Sequence, residues 1–251
     1  MAGHSKWKGI KDKKAVVDAR RSKVWTKVIR EITVAARAGS GDPESNPRLR
    51  VAVSKAREAN MPKDTVEKAI KRGTGDLPGV SYEESHIEGY GPGGVAVYVE
   101  SLTDNKNRTV AELRSIFTKH NSNIAGAGSV AWLFTKRGSI VVGAKGVNED
   151  ELLNLALEAG ADDMTRDGES YAIFTDPHRL EAVKQALAAK QIAWESAEIT
   201  MTPSSSVRVE DADQARQLLA LLDRLEEHDD VQHVYANFDI PDSLLTTLTA
   251  A

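Results

Sequence analysis

No cysteine occurs in the 251 residues. That excludes structural disulfides, thiolate zinc sites, iron–sulfur clusters and cysteine nucleophiles, and it fits a reducing compartment. Long apolar runs are missing as well. The longest stretch free of Asp, Glu, Lys and Arg runs from His120 to Thr135. It is broken by Asn, Ser and Gly, so it makes no membrane span. The N-terminus, Met-Ala-Gly-His-Ser-Lys, has basic residues without an apolar core behind them, so no signal peptide is expected. Walker loops, HExxH and GxSxG patterns are absent. Gly89-Tyr90-Gly91-Pro92-Gly93-Gly94 matches the GxGxxG spelling of a dinucleotide loop, but a strand pattern follows it where a helix is needed. A tight turn between strands is the better reading. His228-Asp229-Asp230 with His233 has no helical spacing that gathers two His ligands, and reads as a solvated acidic turn. With no catalytic constellation, the chain is expected to be non-enzymatic, with no catalytic residues, no metal and no cofactor.

What the chain has is a segregation of charge. Residues 1–75 hold 19 Lys and Arg against 8 Asp and Glu, a net of +11. Residues 76–251 hold 14 against 29, a net of −15. A block this basic fused to a body this acidic points to a polyanion partner at one end.

The basic block reads as helices. Val24, Trp25, Val28, Ile29, Ile32, Ala35 and Ala36 form one apolar stripe on a helix that starts near Asp12 and stops at Gly39 and Gly41. Asn46-Pro47 opens a second helix, and a third runs from about Pro62 to Gly73. Residues 74–81 read as a linker. The period then changes to two: Ile87–Tyr90 and Val95–Val99 form a hairpin, a helix starts near Arg108, and a short strand covers Val130–Phe134. From Gly138 a β-α-β-β-α-β order follows, the ferredoxin-like unit: strand 139–142, helix 149–159, hairpin 163–174, helix 177–189 and strand 192–201. A helix over about 212–227 and a strand over 231–238 remain, and they complete the earlier piece. The expected fold class is thus α+β in three domains. These are a basic helical bundle (1–75), a split α+β domain (76–135 plus 204–240) and an inserted ferredoxin-like domain (136–203).

The basic block also carries the candidate binding residues. Lys6, Lys8, Lys11, Lys13 and Lys14 flank Trp7, which can stack on a base or pack on its own domain. Arg20, Arg21, Lys23, Lys27 and Arg30 continue along the first helix, and positions 20, 23, 27 and 30 make one strip beside the apolar stripe. That strip is expected to lie on the surface and face phosphates. Arg48 and Arg50, with Lys55 and Arg57, add charge on the second helix. The second and third helices could form a helix-turn-helix around Asn60-Met61-Pro62.

Several motifs together resemble the YebC/PmpR family. They are Met-Ala-Gly-His-Ser-Lys-Trp at the start, Gly39–Asp42-Pro43 with Asn46-Pro47-Arg48-Leu49-Arg50, and Asn60-Met61-Pro62. Further on come Glu88 to Gly94, Thr103-Asp104-Asn105 with Asn107-Arg108-Thr109, and Gly128-Ser129-Val130. The likeness runs from residue 2 to about 240. Asn121-Ser122 departs from it, standing where a Gly pair is usual, and so does Lys8-Gly9. The resemblance implies a three-domain, non-catalytic protein of the bacterial cytoplasm. Members are described as DNA-binding transcriptional regulators and, in other cases, as translation factors acting on ribosomes. The expected partner is therefore nucleic acid, either promoter DNA or ribosomal RNA, with the ribosome itself as a further candidate. A DNA-binding transcriptional regulator is the leading expectation, and a ribosome-associated factor binding ribosomal RNA is the alternative. An enzyme working in a cleft between domains is the weakest, for want of a nucleophile, a metal set or a phosphate loop.

Overall fold

A computed structural model describes residues 17–250 of the protein. Three helices come first: α1 (Val17–Ala38), α2 (Pro47–Glu58) and α3 (Lys63–Thr74). Their apolar stripes meet in one core of Val28, Ile32, Ala35, Leu49, Ala52, Ala56, Val66 and Ala69. Val24, expected in the stripe, is largely exposed. Asn46 fixes the α1–α2 corner. Its Oδ1 accepts from Leu49 N–H at 3.1 Å, capping α2, and its Nδ2 donates to Ala35 O at 2.9 Å and Ser40 O at 2.7 Å. Both ends of one buried amide are thereby satisfied. Gly73 lets α3 lie directly on α1: a Cβ there would stand 2.5 Å from Thr33 O and 2.7 Å from the Ala36 methyl.

Next come β1 (Glu83–Tyr90), β2 (Ala96–Thr103), α4 (Lys106–Lys119) and β3 (Asn123–Ile124). The chain then leaves for an insertion and returns through β8 (Val207–Arg208), α7 (Ala212–Glu226), β9 (Val231–Ala236), β10 (Phe238–Asp239) and α8 (Asp242–Ala250). The insertion holds β4 (Phe134–Gly143), α5 (Glu149–Glu158), β5 (Ala161–Asp167), β6 (Ser170–Thr175), α6 (Leu180–Ala189) and β7 (Ser196–Pro203).

The split sheet has the order β3-β1-β2-β9, with every pairing antiparallel. The β1–β2 hairpin turns at Gly91-Pro92-Gly93-Gly94, where Gly93 and Gly94 take φ of 73° and 77°. The dinucleotide spelling is therefore a turn, and Gly91 lets it tuck under Leu218 of α7. Leu113 and Phe117 of α4 and Leu218, Leu221, Leu222 and Leu225 of α7 cover Ile87, Val97, Val99 and Val234. Asn121 accepts the left-handed conformation, φ 52°, at the position where the motif usually has glycine. The insertion has the order β5-β6-β4-β7, all antiparallel, which is the ferredoxin-like arrangement. Its own core contains Ile140, Val142, Leu152, Ile173, Val183 and Leu187.

The described chain divides into two compact units. Trp132–Ser205 is one; the helices and the split sheet lie together in the other, with separate hydrophobic cores. The α+β class is as expected, and two local expectations need correction. Val130–Phe134 is no strand. The Glu88 carboxylate accepts from the backbone N–H of Gly128, Val130 and Ala131 at 2.7, 2.7 and 2.8 Å. Those donors are then lost to any ladder; Ala131–Leu133 makes a 3-10 turn, and Phe134 opens β4. The strand expected from residue 192 starts at Ser196. Gln191 turns left-handed at φ 57°, and Ile192 N–H closes the end of α6 on Leu187 O at 3.0 Å.

Gly73→Ala should destabilise the protein by about 1–3 kcal/mol through overpacking against α1. Helix propensity alone argues for a gain of about 1 kcal/mol. Urea unfolding decides by the sign of the change.

Candidate nucleic-acid interface and the Asp230 junction

The candidate binding residues fall into three groups. Lys6, Trp7, Lys8, Lys11, Lys13 and Lys14 lie outside the described residues, as do the side chains of Arg20 and Arg21. Lys23, Lys27 and Arg30 occupy the side of α1 away from the Val28–Ile32–Ala35 stripe, and that side meets the acidic body. Lys23 Nζ donates to Glu227 O at 3.2 Å, and Lys27 Nζ to Glu226 O at 2.6 Å. These carbonyls end α7, where the helix dipole is negative and cations are favoured. Arg30 Nη1 donates to Leu102 O at 3.1 Å and Asp229 O at 2.9 Å, and it pairs with the Asp230 carboxylate. The Arg30 guanidinium also lies over the Tyr82 ring, 5.3 Å from its centroid. This corrects the expectation of a free surface at Lys27 and Arg30, which are partly covered at the end of α7, while Lys23 remains exposed; the Arg30 side chain is only 13% exposed.

Arg48 and Arg50 are exposed but held. Arg48 binds Glu31 Oε1 at 2.7 Å and Glu84 Oε1 at 2.6 Å. Its pKa is raised, chiefly by the hydrogen bond it donates to Glu31. Arg50 donates to Pro43 O at 3.1 Å and Glu44 O at 2.9 Å, two carbonyls that leave its charge uncompensated. Lys55 and Arg57 on α2, and Lys68, Lys71 and Arg72 on α3, are exposed and make no ion pair among the described residues.

Asp230 is the residue that sequence reasoning placed wrongly. It is buried, at 2% exposure, and lies at the centre of a network. One oxygen takes Arg30; the other accepts from Arg108 at 2.8 Å and from the Thr109 hydroxyl at 2.6 Å. Thr109 also touches the Thr103 hydroxyl at 2.7 Å, while Leu102 N–H donates to Asp230 O at 2.8 Å. Burial pushes the Asp230 carboxyl up, but the Thr109, Arg108 and Arg30 hydrogen bonds and the Arg30 charge outweigh it and hold it at about 2. Asn105 caps α4 from below this node, accepting from Arg108 N–H at 3.1 Å. The Thr103-Asp104-Asn105 and Asn107-Arg108-Thr109 motifs therefore build an internal socket for one carboxylate. Those motifs were the only signal in the sequence that pointed here.

Glu112, His228 and Asp230 bring one ligand atom each within 4.8 Å of one another. All three are already engaged. His228 Nδ1 accepts from Asp230 N–H at 3.1 Å, leaving its Nε2 proton for Glu112 at 2.8 Å. A metal would have to displace two guanidinium groups from Asp230, so the donor set does not fit one. The open cleft at this corner, about 440 Å³, is lined by Lys23, Arg30, Arg108 and Arg224 and by Glu112, Glu227, Asp229 and Asp230. Four charges of each sign give it no bias toward a small anion or cation.

A basic three-helix segment docked by its charges on a split α+β sheet, with a ferredoxin-like insertion, defines a mixed helix-and-sheet protein. No helix among the described residues is long and apolar enough to cross a membrane. Residues 5–76 match the "TACO1/YebC protein N-terminal domain" and residues 82–238 match the "TACO1/YebC second and third domain". The chain belongs to the TACO1/YebC family. It is 54% identical over 245 residues to a "probable transcriptional regulatory protein" of Syntrophobacter fumaroxidans, covering 98% of each chain. It is 57% identical over 240 residues to one of the same name from Geobacter sulfurreducens, covering 96% of each. The crystal structure of a conserved hypothetical protein from Aquifex aeolicus superposes with a TM-score of 0.78 at 49% identity. That match covers 90% of this chain and 93% of the other. Kinship with these relatives supports a regulatory role.

Asp230→Ala should cost about 3 kcal/mol, because it leaves the mostly buried Arg30 guanidinium without its carboxylate. A carboxyl held at about 2, against 3.8 for an ordinary aspartate, stabilises the fold by about 2 kcal/mol above pH 4 and loses that contribution as pH falls toward 2. Stability from this group should be flat between pH 5 and 8. Urea midpoints across that range and down to pH 2, with and without Asp230→Ala, check both statements.

Proposed function

We propose that this protein regulates gene expression by binding nucleic acid, most directly duplex DNA as a transcriptional regulator, and that it acts by binding rather than by catalysis. The contact runs through phosphates and the basic helical segment, in the bacterial cytoplasm. The observation that carries the reading is the set of exposed cations on α2 and α3 that make no ion pair among the described residues: Lys55, Arg57, Lys68, Lys71 and Arg72. Arg50 adds a charge that only carbonyls answer. Phosphate contacts from such groups release counterions and need no base readout. The basic residues before Val17, with Arg20 and Arg21, extend the same charge. The names carried by the relatives agree with a transcriptional role.

Binding through about six phosphates implies that log K falls with log salt at a slope near −5. The combined variant Lys55→Glu, Arg57→Glu, Lys68→Glu and Lys71→Glu should keep its fold, since all four side chains are exposed. It should bind a 30-base-pair duplex at least about 10-fold more weakly, with a shallower slope. Fluorescence anisotropy on duplex DNA and on a structured RNA, side by side, tests this. Equal binding by the folded variant removes these helices from the interface. Tight binding to the RNA alone assigns the protein to translation instead.

A further inference from the structure

The contacts between the helical segment and the split sheet share one chemistry. Lys23, Lys27, Arg30, Arg37 and Arg48 supply the donors. The acceptors are Glu227 O, Glu226 O, the Asp230 carboxylate, the Ser81 hydroxyl and the Glu84 carboxylate. The two hydrophobic cores have no residue in common. The hydrogen bonds and ion pairs of the junction are therefore cations on oxygens, the class of contact that salt and competing anions weaken. A phosphate backbone offers the same kind of oxygen, at closer charge spacing.

We propose that the face of α1 bearing Lys23, Lys27 and Arg30 is a second, masked phosphate-binding surface, which a polyanion reaches by displacing the α7 end and Asp230. The inference rests on the nucleic-acid reading above and adds a hidden half to that interface. In the closed form the end of α7 stands in for the ligand. Its carbonyls take two lysines, and Asp230 takes the arginine. Opening leaves Asp230 with Arg108 and Thr109, so its charge stays compensated inside the sheet domain. The Arg30 Nε, buried and without a partner among the described residues when closed, becomes a free donor for phosphate. Opening also returns the exposed carboxylate of Glu84 to solution, where it gathers cations. Net counterion release is then smaller than the number of phosphate contacts implies.

The test uses the full chain. Hydrogen exchange is followed over residues 226–230 and 102–109, with and without a 30-base-pair duplex and, separately, a long-chain inorganic polyphosphate. Exchange at 226–230 should rise at least about 5-fold when either polyanion binds, while β1 and β2 stay protected. Two body-side variants raise affinity without touching a phosphate contact. Asp230→Asn should bind the duplex about 10-fold more tightly. Glu84→Gln, at an exposed site and so safe for folding, should gain about 2-fold by loosening Arg48. If the duplex binds and residues 226–230 stay protected, or if folded Glu84→Gln and Asp230→Asn bind no better than the parent, the masked surface is overturned and the nucleic-acid reading stands. If polyphosphate opens the junction and neither DNA nor RNA binds, the masked surface stands and the nucleic-acid reading falls. If no polyanion binds, both fall.

Discussion

A carboxylate removed from water must be matched by donors, and here a single one organises three elements. Asp230 sits where α7 hands over to β9, and it draws in Arg108 and Thr109 from α4 and Arg30 from α1. Leaving the buried Asp230 carboxylate or the mostly buried Arg30 guanidinium without its partner costs about 3 kcal/mol. The register of the helical segment against the sheet therefore follows from one acid and its partners. Lys23 and Lys27 repeat the logic more weakly, answering the negative end of the α7 dipole. Glu88 does the same service inside the sheet domain. Burial raises its pKa, but three backbone N–H groups and His86 lower it further, and the loop 126–131 is pinned where a strand was expected.

The segregation of charge along the chain thus has two meanings at once. Part of the positive block is complementary to the acidic body and holds the molecule together. The rest, Lys55 and Arg57 on α2 and Lys68, Lys71 and Arg72 on α3, is exposed and makes no ion pair among the described residues. A basic segment that has to serve its own fold and an external polyanion sets up a competition for the same groups. The strength of that competition depends on salt far more than on pH, because Asp230 stays ionised down to about pH 2.

Elements with a clear period were legible from the residues alone. The α1 stripe, the Asn46-Pro47 start of α2, the Gly91–Gly94 hairpin and the β-α-β-β-α-β insertion needed only spacing, caps and turn chemistry. Expectations failed where a side chain far away in sequence took over backbone groups. Glu88 took the N–H donors of Gly128, Val130 and Ala131, and a left-handed Gln191 delayed β7. The two-residue strand β3 is too short to show a period. The Asp230 junction was hidden for a related reason. His228-Asp229-Asp230 looks like a solvated turn, and the partners of Asp230 lie more than a hundred residues away. Helical spacing correctly grouped Lys23, Lys27 and Arg30 on one strip, but it carries no information on whether that strip meets solvent or protein.

Arg30 and Asp230 should be energetically coupled across the junction. A double-mutant cycle on unfolding free energy, with Arg30→Met, Asp230→Ala and the pair, measures that coupling directly. The account predicts an interaction of at least about 1.5 kcal/mol, in the range of buried networked pairs. A value below about 0.5 kcal/mol, the level of an exposed ion pair, would contradict it.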